Sequence, residues 1–397
     1  MPSFLDHWIA RARRTARRIR GYPFVGNVNA ADPELVRRRC LLLYLSLPFT
    51  RPPDHPSFLT HQNLGQAKSM ARALGEAGYV VDVADVHTPR VPQASVPYDL
   101  VVTHHPSLSP IGHVVGPSTT VVYLASGMQH AEHNRLVRQR RESLEQRRQC
   151  RMPPFAVNDE TMSVLPRASV IAGFGNHVTM GTWALSFEGP RLPFDNYGFE
   201  WIRPAGGALP DRACHFLFFG SVDQVRKGLD LLLEVFPKHP GLYLHVAGHY
   251  AREPAFCACY DRELHRTPNI HLHGVIGIGT PDWDALIRQC AFAILPTCSE
   301  GQAGSVVQAM HAGLVPVVTP AAGIDVESFG ILLPENPLPS LDETLERVAA
   351  LPPSELARLR DATLTAAHSV YSETAFLNRW RKIVRAIESV SAAKPCP

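Results

Sequence analysis

Lysine is scarce in this chain of 397 residues. Only five of its 39 basic residues are lysines, and the other 34 are arginines. The excess of positive over negative charge is also small, with a formal net charge of +3. Such a small excess does not predict nucleic acid as the partner of the whole chain. A lysine is therefore an unusual choice here. One of the five, Lys227, precedes a glycine at the start of the apolar run "GLDLLLEVF".

Long hydrophobic runs are absent as well. No apolar run reaches the ~18 residues that a membrane-spanning helix needs, and "CLLLYLSL" at 40–47 has the length of a strand. The N-terminus lacks the apolar segment of a secretory signal. The eight cysteines are scattered along the chain, which is typical of a reducing compartment. The sequence therefore predicts a cytoplasmic protein.

Patterns that bind metal are also missing. Cys257 and Cys259 form a Cys-x-Cys pair with His265 nearby, but zinc sites use Cys-x2-Cys pairs, and no second pair follows. Asp82 and Asp85 do not form an Asp-x-Asp motif. We expect no metal and no cofactor, and a metal at the Cys-x-Cys pair is the less favoured alternative.

Strand and helix patterns alternate along most of the chain. This alternation predicts an α/β fold of two doubly wound, Rossmann-like halves whose ligand crevices lie beyond the carboxyl ends of the strands and face a central cleft. Strands are predicted at 40–49, 80–85, 99–105, 118–126, 165–175, 215–221, 242–248, 269–274, 292–296 and 315–319. Helices are predicted at 61–79, 130–150, 227–236 and 303–312, and over most of 339–391.

Proline and glycine cluster at 202–214, which predicts a hinge or linker between the halves. We therefore divide the chain into four parts. They are a basic amphipathic segment at 1–30, an N-terminal Rossmann-like domain at 31–202, a C-terminal Rossmann-like domain at 203–370, and a C-terminal helix at 371–397 that crosses back to the N-terminal domain.

Two loops after strands carry candidate chemistry. In "FFGSVDQVRKGLD" the strand ends at Phe219, Gly220 turns, and a helix begins near Lys227, where free backbone N–H groups and a lysine suit a phosphate. The alternative is a solvated surface lysine. In "ILPTCSEGQAGSVVQAMHAG", Glu300 follows a strand and is surrounded by small residues that let backbone approach a ligand. The alternative for Glu300 is a helix-capping carboxylate.

The chain from about 215 to 390 resembles the GT-B retaining glycosyltransferases of family 4. The motifs that carry the resemblance are "GS-x5-KGL" at 220–229, "PTCSEG" at 296–301, "QAMHAGLVPVV" at 308–318 and "YSETAFLNRW" at 371–380. The N-terminal half resembles the family only in architecture. The resemblance implies the GT-B fold, with two Rossmann-like domains facing a cleft. It implies that the N-terminal domain, 31–202, lies on the acceptor side and that the C-terminal domain, 203–370, binds the nucleotide sugar.

The resemblance also implies residue roles. Lys227 would hold the donor diphosphate, and Glu300 would hold the donor sugar. Further donor contacts would come from Gly220, Ser221, Arg226, Val275, Gly301, Gln302, Ala303, Gly304 and Gln308. Two positions depart from the family pattern: Gln308 replaces the second glutamate, which grips the ribose, and Ser221 replaces an arginine whose charge Arg226 would supply. The nucleotide base would lie near 273–276, around Val275.

Candidates in the N-terminal half are histidines and amides. The resemblance favours His130, at the start of a charged helix, as a catalytic residue that touches the donor sugar or the acceptor; a surface histidine is the alternative. His133 and Asn134 are weaker candidates. His61, Gln62 and Asn63 begin a helix that should face the cleft, and His61 and Asn63 are possible acceptor contacts. His104 and His105 end a strand.

The function implied is transfer of a sugar, of hexosyl type, from a nucleotide sugar to a glycan or a lipid-linked glycan. Transfer would retain configuration and need no metal, as in bacterial polysaccharide biosynthesis. One alternative is a non-catalytic partner protein that binds a nucleotide sugar, for which Gln308 and Ser221 argue. A GT-B sugar epimerase is the other.

The first twenty residues form an amphipathic pattern. Phe4, Trp8 and other apolar residues share one face of a helix, and six arginines lie opposite. Such a helix suits peripheral contact with the inner face of an anionic membrane. A helix packed on the protein's own surface and an arginine-rich targeting peptide are the alternatives.

Overall fold

The computed structural model describes residues 23–30, 38–52, 54–59, 62–93, 97–155, 162–204 and 214–392. The amphipathic segment at 1–20 and His61 lie outside these ranges, and both remain predictions. The chain forms two compact units. The first comprises residues 1–124, 160–172 and 377–397, and the second comprises 125–159 and 173–376.

The first unit is built on a mainly parallel sheet with strand order β1-β3-β2-β4-β5-β6. Strand β1 runs antiparallel to its neighbour β3, whereas β2 runs parallel to β3 and β4, and β4 runs parallel to β5. A parallel sheet is covered on both of its faces, so its strands are apolar along most of their length. Leu41, Leu43 and Val101, for example, have no exposed surface. The strands are β1 Phe24–Val25, β2 Arg38–Tyr44, β3 Tyr79–Asp85, β4 Leu100–Thr103, β5 Thr120–Ala125 and β6 Ala168–Phe174; the helices are α1 Asn63–Glu76 and the greater part of α12 Glu373–Ala392.

Helix α12 is held to the first unit by ion pairs from its own residues. Arg381 Nε lies 2.7 Å from Glu76 Oε2, and Glu388 Oε1 lies 2.6 Å from Arg38 Nη1. The sequence-based domain limits placed 125–202 in the N-terminal domain, whereas by contacts 125–159 and 173–202 group with the second unit. The boundary at 202/203 stays a prediction of how the chain divides.

A buried carboxylate lies within β3 of the first unit. Asp82 Oδ2 accepts a hydrogen bond from the Tyr98 hydroxyl at 2.8 Å, and Asp82 Oδ1 accepts one from the Asn27 amide at 2.8 Å. Arg39 pairs with the same carboxylate. Asp82 is 1% exposed, and these three donors offset the cost of burying its charge.

The second unit is built on a parallel sheet with strand order β10-β9-β8-β11-β12-β13. Its strands are β8 His215–Gly220, β9 Tyr243–Gly248, β10 Ile270–Gly274, β11 Phe292–Leu295, β12 Val315–Val318 and β13 Ile331–Leu332, with β7 Arg191–Phe194 elsewhere in the unit. Its helices are α2 His130–Arg148, α3 His177–Gly181, α4 Gln224–Lys227, α5 Leu229–Val235, α6 Pro254–Cys259, α7 Asp261–Arg266, α8 Pro281–Gln289, α9 Gly304–His311, α10 Leu338–Ala349 and α11 Pro353–Ser369.

Each predicted strand and helix is present, with one correction at Lys227. The helix expected at 227–236 is two helices, α4 and α5, separated by Gly228 at φ +82°. A Cβ at this position would lie 2.4 Å from the Pro296 carbonyl oxygen, so only glycine fits. Lys227 therefore ends a one-turn helix and lies one residue before the N-cap of α5. The short strands β1, β7 and β13 and the helices α3, α6, α7 and α8 were not predicted.

None of the helices in the described ranges is long and apolar enough to span a bilayer.

Candidate functional site

The ends of two adjacent parallel strands bring the main candidates together. Strands β8 and β11 pair with each other in the second unit. Arg226 and Lys227 lie in the short helix α4 that follows β8, and Glu300 lies in the loop that follows β11. Lys227 Nζ lies 2.6 Å from Glu300 Oε1, and Arg226 Nη1 lies 2.7 Å from the same oxygen. Two cations thus converge on one carboxylate oxygen at the carboxyl edge of the sheet, which is where α/β folds bind ligands.

Arg226 is fixed by contacts on both sides. Its Nε donates to Asp223 Oδ2 at 2.7 Å, and its Nη1 donates to the Ser299 carbonyl at 2.6 Å. The Arg226 carbonyl accepts from the Cys298 amide at 2.9 Å. Asp223 holds φ +72°, a left-handed conformation that is uncommon for a residue with a side chain. The β8–α4 loop and the Glu300 loop are therefore joined by backbone as well as by charge.

The cations keep Glu300 ionised. Burial alone would raise the pKa of Glu300, but Arg226 and Lys227 outweigh it and lower that pKa from 4.5 to about 2. Burial likewise lowers the pKa of Arg226, and the carboxylates of Glu300 and Asp223 outweigh it and raise that pKa. The site therefore holds a charged carboxylate and a charged guanidinium at neutral pH.

Glu253 completes this group of charges and was not singled out from the sequence. It follows β9, and its carboxylate accepts hydrogen bonds from the Asp223 amide and from the Gln224 amide at 3.2 Å. Burial raises the pKa of Glu253 against the lowering effect of these donors. Because Glu253 binds the first amides of α4, it holds the left-handed turn at Asp223 in place. No local pattern marks a glutamate that acts on a loop thirty residues away.

The glycines of the Glu300 loop meet other backbone at close range. A Cβ on Gly301 would lie 2.2 Å from the Ser126 carbonyl oxygen, and one on Gly323 would lie 1.9 Å from the Gly301 carbonyl oxygen. A Cβ on Gly175 would lie 2.3 Å from that same oxygen. Gly301 thus meets a structural need of the fold, in addition to any role toward a ligand. Ala303 is buried, and Gly304 is the first residue of α9.

Two glutamines of this segment bind the chain at 195–199. Gln302 Nε2 donates to Asp195 Oδ1 at 2.7 Å and to the Gly323 carbonyl at 2.8 Å, and Gln302 Oε1 accepts from the Asn196 amide at 2.6 Å. Gln308 Oε1 accepts from the Phe199 amide at 2.9 Å. The ribose contact predicted for Gln308 stays a prediction. The structure adds a second role, in which the glutamine pair anchors a neighbouring segment.

Helix α2 reaches the Glu300 loop through His133. His133 Nδ1 lies 2.8 Å from Ser299 Oγ, and Arg140 Nη1 donates to the Pro296 carbonyl at 3.2 Å. His130, one turn earlier, lies edge-on to Trp183 at a ring separation of 6.0 Å. His133 is thus the histidine of α2 that touches Ser299, the residue before Glu300, although the sequence favoured His130. The catalytic role of His130 stays a prediction.

The remaining candidates lie in several places. Gly220 ends β8 beside Gly248, where a Cβ would fall 1.6 Å from the Gly220 carbonyl oxygen. Ser221 is exposed, and its carbonyl accepts from Gln224 Nε2 at 2.6 Å. Val275 is 65% exposed. Asn63 is the half-buried first residue of α1 in the first unit.

A row of three histidines ends at His273, the first residue of the segment at 273–276. His245 Nε2 lies 2.9 Å from His215 Nδ1, and His245 Nδ1 lies 2.9 Å from His273 Nε2. Burial, and then the neighbouring His273, lower the pKa of His245 from 6.5 to about 3. The buried ring is therefore neutral at physiological pH, and it donates to one neighbour and accepts from the other.

Within the ranges that the structure describes, no group of three or more His, Cys, Asp or Glu side chains is arranged to hold a metal ion.

Comparison with known proteins adds a family model and a fold. Residues 213–350 match the family model described as Glycosyl transferases group 1. No curated protein matches the chain. A sucrose-phosphate synthase from Thermosynechococcus elongatus is similar in structure, with a TM-score of 0.59 and 13% identity, over 89% of this chain and 100% of the synthase.

Two further solved structures show the same likeness. A glycosyltransferase from Rickettsia africae has a TM-score of 0.58 and 12% identity, over 90% of this chain and all of that one. Anabaena Alr3699/HepE, crystallised with UDP and glucose, has a TM-score of 0.55 and 12% identity, over 89% and 100%. The chain spans only 54% of TarM, at a TM-score of 0.51 and 13% identity. These neighbours are GT-B glycosyltransferases, so the predicted GT-B type of fold, with two Rossmann-like sheets, is confirmed.

Proposed function

We propose that the protein transfers a sugar, of hexosyl type, from a nucleotide-diphosphate sugar to an acceptor, with retention of configuration and without a metal. One observation carries the proposal. Arg226 and Lys227 converge on Glu300 at the carboxyl edge of the second sheet, inside the segment that matches the glycosyl transferase model.

The charges of this group suit the departure of a diphosphate. A leaving nucleoside diphosphate gains negative charge as the glycosidic bond breaks, and fixed cations stabilise that charge without reorganisation. Lys227 and Arg226 are both largely buried, with side chains 9% and 14% exposed, so water screens their charges little. Glu300, ionised at neutral pH, accepts hydrogen bonds from hydroxyls of the donor sugar and fixes its orientation.

Retention follows in this proposal from attack by the acceptor on the same face from which the diphosphate departs. The diphosphate, held by Lys227 and Arg226, takes up the proton of the acceptor hydroxyl. An anomer-resolved NMR spectrum of the product tests this step, because inversion of the anomeric centre would contradict it.

The first experiment is a thermal-shift panel with UDP, GDP and ADP. A ligand at 100 times its dissociation constant adds ~2.7 kcal/mol to stability, which is readily measured as a rise in Tm. One nucleotide diphosphate should stabilise the protein well above the others and so identify the base. If none of the three raises Tm at millimolar concentration, the proposal loses its substrate class.

The metal-free mechanism is tested with a chelator. Turnover with the donor identified by the panel should be the same in EDTA as in magnesium or manganese. Full loss of turnover in EDTA, restored by either metal, would contradict a mechanism in which Lys227 and Arg226 alone neutralise the negative charge of the diphosphate.

A second candidate function is a non-catalytic partner that binds a nucleotide sugar. The observation that favours it is the hydrogen bond that the Phe199 amide donates to Gln308 Oε1, at the position where the family has the ribose-binding glutamate. Donor binding without hydrolysis or transfer, with every acceptor tried, would favour the partner. Release of free nucleotide without a glycosylated product would instead point to an epimerase.

For the acceptor we propose a glycan or a lipid-linked glycan, reached by the amphipathic segment at 1–20 from the inner face of the membrane. Six arginines near an anionic surface contribute ~1 kcal/mol each. The full chain should co-sediment with anionic vesicles at low salt, and a variant lacking residues 1–30 should not. Equal solubility of both proteins would contradict membrane contact by this segment.

A further inference from the structure

One face of helix α2 packs against the rest of the second unit. The residues at 133, 137, 140, 144 and 147 recur at helical spacing and therefore share one face. Val137 and Leu144 have no exposed surface. Arg140 and Arg147 end in hydrogen bonds to the Pro296 carbonyl and to Asp230. His133 is the first residue of this face. The contacts of the other four residues fix the position of the helix and therefore the position of the His133 ring.

The partner of His133 is set directly beside Glu300. Ser299 has no exposed surface. Its amide donates to Thr297 Oγ1 at 3.3 Å, its carbonyl accepts from Arg226, and its hydroxyl lies 2.8 Å from His133 Nδ1. Backbone and side chain of Ser299 are thus both held. Because Glu300 is the next residue, the place of its carboxylate depends on how Ser299 is anchored.

We propose that His133 is a positioning residue for Glu300: from helix α2 it holds Ser299 through the Nδ1–Oγ hydrogen bond, and so fixes where the Glu300 carboxylate meets the donor sugar. This inference rests on the proposed function. It assigns His133 no contact with substrate, and the reaction step itself needs no proton from its ring.

The groups around the His133 ring keep it neutral, which suits a hydrogen bond to the Ser299 hydroxyl. The charged or titratable groups that influence it are Arg226, Asp223, Glu300 and His130. Burial, and then the charge of Arg226, lower the pKa of His133. The ring is therefore neutral at physiological pH, and a neutral ring bonds the serine hydroxyl without adding a third cation beside Glu300.

A double-mutant cycle between His133 and Ser299 tests the inference. The assay is release of UDP, GDP or ADP from the corresponding glucose donor, with the nucleotide that stabilises the wild type. His133→Ala and Ser299→Ala should each lower kcat about tenfold, which corresponds to ~1.4 kcal/mol. KM for the donor should change less than threefold, because Lys227 and Arg226 still hold the diphosphate. The double variant should be no worse than either single one.

The conservative variant separates positioning from simple packing. His133→Asn keeps a short side chain that can hydrogen-bond Ser299, and it should recover kcat to within about threefold of the wild type. His265→Asn, at an exposed residue of α7, is the matched control. Should His133→Ala fail to fold, Ser299→Ala removes the same bond from the other side, and its kcat alone decides.

Additive losses in the double variant would overturn the inference, since His133 would then act on the substrate independently of Ser299. Unchanged kcat in both single variants would overturn it as well. Failure of the proposed function looks different: the wild type itself would turn over none of the donors, or would release nucleotide without forming a glycosylated product with any acceptor.

Discussion

Each unit of this protein holds a carboxylate paired with arginine, and the two carboxylates differ in where they lie on their strands. Asp82 lies inside β3 of the first unit and is enclosed by Arg39, Tyr98 and the Asn27 amide. Glu300 lies in the loop after β11 of the second unit and receives Arg226 and Lys227. Within a strand, the pair of carboxylate and arginine stabilises the folded state. Beyond the strand's carboxyl end, the same chemistry is open to a ligand.

The largest effect is expected at the second carboxylate. Lys227→Ala and Glu300→Ala should each lower turnover by about two orders of magnitude or more, because loss of one preorganised charge costs ~3–4 kcal/mol in the transition state. The measurement is kcat/KM with the identified donor. Lys238→Ala is the matched control, since that lysine pairs with Asp342 while 59% exposed, and it should leave turnover unchanged. Near-normal rates in both site variants would refute the assignment.

The next effect is expected at the first carboxylate, and it is one of stability. Asp82→Ala removes one partner of a buried pair and leaves Arg39 without its counter-charge, which costs ~3–5 kcal/mol. Chemical denaturation should show this loss. Nucleotide binding by the folded variant should equal that of the wild type. If donor affinity fell and stability did not, the contrast between the two carboxylates would be wrong.

A third carboxylate, Asp230, sharpens the contrast through pH. Burial raises the pKa of Asp230 from 3.8 to about 6, against the lowering effects of Arg140 and Arg147. Between those two values the folded state binds the proton more tightly than the unfolded state, so this group's contribution to stability falls as pH rises from about 4 to 6. The Asp230→Asn variant has no carboxyl group at this position to bind or release a proton. Its stability relative to wild type should therefore rise by ~2 kcal/mol over that window.

Comparison with the wild type at each pH is needed because His245 acts in the opposite sense. Its pKa is lowered to about 3, so its contribution is lost as pH falls from about 6.5 toward 3. The difference between Asp230→Asn and wild type cancels this common effect. A difference that does not change with pH would show that Asp230 titrates normally.

The smallest effect is expected at Gln308. Gln308→Glu keeps an oxygen that can accept from the Phe199 amide and adds a charged acceptor for a ribose hydroxyl. Charged hydrogen bonds are about twice as strong as neutral ones, so the dissociation constant for the nucleotide should fall by less than tenfold. Calorimetric titration of wild type and variant measures it. Unchanged affinity would mean that the ribose is held by other groups.

Local patterns predicted most of the fold. Strands such as "HFLFFG" and "FAIL" are apolar runs of strand length, and both are observed as β8 and β11. Helix α9 was predicted at 303–312 and lies at Gly304–His311. The sequence placed Lys227 and Glu300 after two different strands, and such strand ends meet at one edge of a parallel sheet. It did not predict that the two side chains pair with each other.

What the sequence could not show depends on contacts between distant residues. Gly228 reads as part of a helix until the Pro296 carbonyl is found against it. Gln302 and Gln308 were predicted only as donor contacts. Their hydrogen bonds to the backbone amides of Asn196 and Phe199, more than a hundred positions earlier, have no local signal in the sequence. His133 and His130 have similar local surroundings. Only the approach of Ser299 distinguishes them.

Helix α2 determines how this chain can be divided for separate expression. A fragment that begins at residue 203 omits α2 and thereby uncovers Asp230, whose partner Arg147 is lost. It also omits the amides of Asn196 and Phe199 to which Gln302 and Gln308 bond. A fragment of the second half should instead keep 125–159 and 173–376, with a flexible linker in place of 160–172. Split-protein reporters or domain exchanges that cut at the Pro- and Gly-rich segment would sever these contacts.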